Sequence, residues 1–212
     1  MKNIPRGIFI LFEGGEKVGK STQVKLVDAY FKKIGYSSVV SREPGGGDPN
    51  IRQKLLHSEK PLTAKEELAL FCEDRRLHVE NFIIPALNAK KIVLLDRFEP
   101  SSIAYQGYGR GLSVSTIRRE SAKARQGIWP DLIILLDADP EFAHKRAEAT
   151  TRFDKEGPEF HLRLREGFLA QAKKDPKRWR IIDASLTEKQ VFLNVVDFLK
   201  DLFFREFGIN LP

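Results

Sequence analysis

The sequence predicts an α/β fold: a mostly parallel five-stranded sheet flanked by helices. Three observations point to it. Short apolar runs at 8–12, 37–41, 91–95, 131–136 and 179–182 alternate with long stretches of helical spacing. Helix starts are signed chemically, with Thr63 and Glu66, then Thr187 and Gln190, spaced as capping boxes, and Asp139 before Pro140 as an N-cap followed by a first-turn proline. The 212 residues, 42% hydrophobic and 31% charged, suffice for one core and are too apolar for a disordered chain.

The elements follow in order. The run at 8–12 ends at Glu13, opens into glycines and leads to helical spacing over 22–34. The run at 37–41 is closed by Arg42 and by Glu43-Pro44-Gly45-Gly46-Gly47, a fixed proline before permissive glycines, suited to a loop that approaches a ligand closely. After Thr63, the positions Leu68, Phe71, Arg75, Val79 and Phe82 fall near one helix face. The third and fourth runs end at Asp96 and Asp137. Residues 150–158 are polar, charged and glycine-containing, which predicts a mobile excursion. After Thr187, Val191, Val195, Val196, Leu199, Leu202 and Phe203 recur at helical spacing and predict a covering helix.

Composition narrows the function. The longest apolar runs are strand-sized, far below the roughly 20 residues of a membrane helix. The basic start at Met1–Arg6 precedes a run too short for a signal peptide. Cys72 is the only cysteine, so an intrachain disulfide and a multi-cysteine zinc site are excluded and a reducing cytoplasm is expected. With 36 Lys and Arg against 29 Asp and Glu, a formal net charge of +7, the chain should attract polyanions or phosphorylated small molecules.

The sharpest motif is Gly14-Gly15-Glu16-Lys17-Val18-Gly19-Lys20-Ser21, which fits G-x-x-x-x-G-K-[ST] between a strand and a helix. Glycines let backbone N–H groups converge, and the helix that follows adds unpaired amides, so the turn is built to hold polyphosphate. Lys20 is expected at the β- and γ-phosphates, and Ser21 at Mg²⁺. The metal also calls for a carboxylate at a neighbouring strand end, where Asp96 and Asp137 both qualify. Asp96 is preferred because Arg97 follows it at once. On the acceptor side, Phe71 and Arg75 would project together, apt for stacking a base and bonding its edge. Also open from pattern is a core phenylalanine with an arginine paired to a core carboxylate.

Phe12-Glu13-Gly14, the phosphate cradle, Arg42-Glu43-Pro44-Gly45-Gly46, Asp96-Arg97-Phe98, Ser102-Ile103-Ala104-Tyr105-Gln106-Gly107 and Pro130-Asp131-Leu132 together resemble the thymidylate kinase family, in order and at similar separations, from about Ile8 to Ala184. The resemblance implies a three-layer P-loop kinase fold over 1–212 as one domain, with a mobile lid at about 146–158. It also implies Mg²⁺-dependent transfer of the γ-phosphoryl of ATP to dTMP, and a homodimer with no nucleic-acid or membrane partner. In such a member the cradle and Thr22 bind ATP, while Arg42 and Arg97 engage the acceptor phosphate. Phe71 and Arg75 read thymine. Ser101 and Gln106 lie near base or sugar, Tyr105 helps exclude a 2′-hydroxyl, and Glu16 holds the 3′-hydroxyl or a water.

Departures from the family carry expectations of their own. Lys17, where relatives have glycine or arginine, is expected to share charge stabilisation at the phosphates with Arg152 of the lid, with Arg146 beside adenine. Gly47 replaces a common threonine and predicts a more mobile loop. The alternatives are a kinase of another monophosphate such as dUMP or UMP and, from another class, a P-loop switch or a nucleic-acid-binding protein.

Overall fold

Each of the five apolar runs becomes a strand, and each predicted helix start begins a helix. In the computed structural model, which describes residues 2–145, 148 and 150–212, the strands are β1 (Ile8–Glu13), β2 (Ser38–Arg42), β3 (Ile92–Asp96), β4 (Leu132–Asp137) and β5 (Trp179–Asp183). The helices are α1 (Lys20–Lys33), α2 (Pro49–His57), α3 (Ala64–His78), α4 (Ile84–Asn88), α5 (Glu99–Ser102), α6 (Val114–Arg125), α7 (Pro140–His144), α8 (Pro158–Lys174) and α9 (Glu188–Phe207). π-Helical turns at Val79–Ile83 and Ile103–Gly109 join α3 to α4 and extend α5.

The sheet order is β2-β3-β1-β4-β5, with every pair parallel. Parallel strands need covering on both faces, and the central strands β3, β1 and β4 are accordingly apolar and buried at odd and even positions alike. Ile8, Ile10 and Phe12 pack with Ile92, Leu94 and Ile134 under α1 and α9. Phe9 and Leu11 pack with Val93, Leu95 and Ile133 under the α3–α4 segment and α8. This three-layer arrangement leaves the carboxyl ends of the strands as the edge where ligands bind.

Both capping boxes form: the Thr63 and Thr187 hydroxyls accept from Glu66 N and Gln190 N, and the partner side chains reach back to the cap N–H groups. Asp139 caps α7 through Glu141 N. Sequence patterning did not mark α2, although Asp48 caps it through Asn50 N with Pro49 in the first turn. All five strands run one residue past the predicted runs, so Glu13, Arg42, Asp96, Asp137 and Asp183 are terminal strand residues. Parallel pairing sets those limits, because Asp96 lies beside Phe12 on one side and Arg42 on the other. Among the described residues, no helix is long and apolar enough to cross a membrane.

Candidate active site

The turn after β1 is shaped by close approach. Gly14 has φ 141°, and a Cβ there would lie 2.4 Å from the Leu136 carbonyl oxygen of β4. The loop curls back to Gly19 (φ 94°), and α1 then opens toward its hollow. Lys20 Nζ donates to the Gly14 and Gly15 carbonyls at 3.2 and 2.5 Å. Burial and the nearby Arg97 lower its pKa to about 8. Lys17 takes up φ 60° and places Nζ 3.9 Å from Asp154 Oδ1.

At the end of β3, Asp96 Oδ2 accepts the Ser21 hydroxyl at 2.5 Å, while Oδ1 is buried without a hydrogen-bond partner. That orphaned oxygen next to a hydroxyl fits a divalent cation, and no group of three or more His, Cys, Asp or Glu placed for a metal occurs among the described residues. Such a donor set suits Mg²⁺, which takes few protein ligands and keeps phosphate and water oxygens. Asp137, the other candidate, is held by the Arg165 fork, with both contacts at 2.8 Å.

Arg97 has φ 72° and donates its backbone N–H to Phe12 O at 3.0 Å, which aims the side chain back across β1. Its guanidinium donates to Gly14 O and to Ser101 Oγ, both at 3.1 Å, and lies 3.0 Å from Glu16 Oε2. The Tyr105 hydroxyl donates to Glu16 Oε1 at 2.6 Å. Burial alone would raise the Glu16 carboxyl, but Arg97, Lys20 and the Tyr105 hydrogen bond hold it down at about 2. Glu13 is fully buried and accepts from Phe98 N at 2.9 Å and Ser101 Oγ at 2.6 Å, fixing the turn that carries Arg97; burial pushes it up to about 7 despite Arg97.

Two clefts meet at these residues. A polar cleft of ≈ 440 Å³ is lined by Lys17, Gly19, Lys20, Ser21, Thr22, Arg42, Asp96 and Arg97, among others. A narrow apolar slot beside it is lined by Phe71, Arg75, Phe98, Ser101, Tyr105 and Phe153, and Glu16, Glu43, Pro44, Leu56 and Arg97 belong to both. Arg75 is buried and reconciles the alternatives left open by its pattern. It borders the slot, and it is also paired with a core carboxylate, Glu43 Oε2 at 2.9 Å, while donating to Ser121 and Ser102 at 3.1 Å each.

Three expectations need correction. Arg152 does not face the polar cleft; its Nη1 donates to the buried Glu67 Oε1 at 2.8 Å and its Nε to the Leu55 carbonyl, because a desolvated carboxylate demands a cation. Gln106 is fully buried and donates to Glu67 Oε2 at 2.9 Å instead of lining the slot. The loop after Arg42 is tied down rather than loose: Asp74 accepts from Gly45 N, Gly47 N and Asp48 N at 2.8, 3.1 and 2.8 Å. A Cβ on Gly47 would come within 2.0 Å of the Asp74 carbonyl oxygen, so glycine here serves close packing. Val18 is buried behind the cradle, and Arg146 lies outside the described residues.

Sequence reading missed Arg52, which lines the polar cleft and donates to Pro44 O at 2.7 Å. The Asp48-Pro49 helix start was the signal that could have placed it.

A cradle for polyphosphate opening onto a second pocket with an arginine at the junction defines a P-loop nucleoside monophosphate kinase, an ATP-dependent phosphotransferase. The family model described as thymidylate kinase matches residues 12–195, and the chain belongs to the thymidylate kinase family. The thymidylate kinase of Clavibacter michiganensis subsp. michiganensis is 42% identical over 191 residues, spanning 87% of this chain and 90% of its own. That of Pelotomaculum thermopropionicum is 41% identical over 198 residues, spanning 90% and 92%. The crystal structure of thymidylate kinase from Ehrlichia chaffeensis superposes with a TM-score of 0.77 at 35% identity, covering 92% of this chain and 99% of that one.

Proposed function

We propose that the chain phosphorylates dTMP to dTDP with the γ-phosphate of ATP, a step toward dTTP. The observation that carries this reading is the sharing of Arg97 and Glu16 by the polar cleft and the aromatic slot. ATP phosphates occupy the cradle, the thymine ring enters beside Phe71 and Arg75, and the acceptor phosphate lies at the junction between Arg42 and Arg97. Its oxygen is already anionic and nucleophilic, so no covalent enzyme intermediate is required. The protein aligns two mutually repelling polyanions for in-line transfer and screens them with Lys20, Arg97 and Lys17. Ser21 and Asp96 would hold Mg²⁺, which when bound neutralises charge on the transferring phosphoryl group.

Tyr105 and Glu16, joined by a hydrogen bond of 2.6 Å, close the sugar side, where Tyr105 excludes a 2′-hydroxyl. Residues 150–158 serve as the lid of a single domain and exclude water during transfer. The lone cysteine suits a cytoplasmic enzyme, and the family resemblance suits a homodimer without nucleic-acid partners. A panel of dTMP, dUMP, UMP, dCMP and dGMP with ATP and product identification tests the reading: dTDP should be the principal product, and equal use of UMP would overturn it. Sedimentation tests the dimer.

A further inference from the structure

Residues Glu67, Phe71 and Arg75 stand four apart on α3 and share one face. Phe71 and Arg75 border the slot, and Glu67 lies one turn earlier with no solvent exposure. Its carboxylate gathers three partners: Arg152 Nη1 at 2.8 Å, Gln106 Nε2 at 2.9 Å and Arg110 Nε at 3.3 Å. Arg110 continues to Glu156 at 2.6 Å, so the 152–156 segment is pinned at both ends to one buried acid of the base-reading helix. Between those pins sits Phe153, buried in the wall of the slot, edge-on to Tyr105 with ring centroids 5.3 Å apart. Next to Arg152, Thr151 borders the polar cleft. A carboxylate this deeply buried holds its cations firmly, because losing one leaves an uncompensated charge.

We infer that Glu67 is a positioning residue: through Arg152 and Arg110 it latches the lid segment to the acceptor helix, so that Phe153 completes the slot and acceptor binding is tied to lid closure. The inference deepens the dTMP reading and rests on it for the identity of the acceptor. Its test is a double-mutant cycle of Glu67→Gln, Arg152→Gln and the pair, run on whichever monophosphate the panel identifies.

Each single change should raise the acceptor KM about tenfold while the ATP KM stays within about twofold, and the pair should be no worse than either. An unchanged acceptor KM, losses that multiply in the pair, or an equal loss on both substrates would each overturn the latch. Limited trypsin digestion reads it without any turnover: cleavage after Lys155 should be faster in Glu67→Gln than in the native chain, and equal rates would refute it. Should Glu67→Gln fail to fold, Arg152→Gln decides alone. Failure of dTMP in the panel disposes of the acceptor assignment and leaves the protease result to judge the latch.

Discussion

The Arg97 guanidinium and the Glu16 carboxylate face each other at 3.0 Å where the polar cleft and the aromatic slot join. Removing the cation strips charge from the junction and leaves the partly buried Glu16 carboxylate to the Tyr105 hydroxyl. Arg97→Ala should fold, since alanine inherits the same left-handed backbone without added strain, yet lose about 10²–10³ in kcat with dTMP. Steady-state kinetics with circular dichroism check this, and native turnover would remove Arg97 from the mechanism.

Lys17 gives a prediction with two signs. Its φ of 60° is costly for a side chain, so Lys17→Gly should not destabilise the fold and should gain up to about 1 kcal/mol. The same change removes a cation from the polar cleft, so kcat should fall while ATP affinity holds. Thermal melts and kinetics read the two effects separately; unchanged kcat would assign the charge stabilisation elsewhere.

Lys20 sets a pH dependence for nucleotide binding. Its ammonium has a pKa near 8 in the free protein, and bound phosphates raise it. Between those two values, binding takes up a proton, so ATP affinity should weaken about tenfold per pH unit above 8. Calorimetry at pH 9 in buffers of different ionisation enthalpy should show that uptake, and its absence would contradict the lowered pKa.

Gly47→Thr should harm this chain. The added Cβ meets the Asp74 carbonyl oxygen and the Leu77 side chain, which must shift at about 1–3 kcal/mol. Because Asp74 also anchors the Arg42 loop, the dTMP KM should rise with little change for ATP. A native dTMP KM would show that the loop adjusts freely.

The fold and the geometry of the glycine turn were legible in the sequence for the same reason: their signals are local. Strand runs, capping boxes and the glycine cradle each occupy a few neighbouring residues, and the Asp96-Arg97 pair advertises itself at a strand end. The acceptor half depends on partners far apart in the chain. Arg75 could not reveal that it pairs with Glu43, nor Arg152 that it turns to Glu67 and away from the cleft. The sequence did not single out Glu67 or Asp74, because burial alone gives them their work and burial is a property of the assembled fold. The loop at Gly47 was misread for the same reason, since glycine looks permissive until the backbone packed against it is known.

The lateral register of β2, β3 and β1 makes strand length a ruler for the chemistry. Arg42, Asp96 and Phe12 sit level across three neighbouring strands, so the loops after β2 and β3 start from one common line and the turn after β1 one residue beyond it. One residue inserted between Leu95 and Asp96 would leave the hydrophobic layers intact but rotate the carboxylate to the opposite face and push Arg97 a step outward. A chain altered in that way would still fold, and would fail for want of alignment.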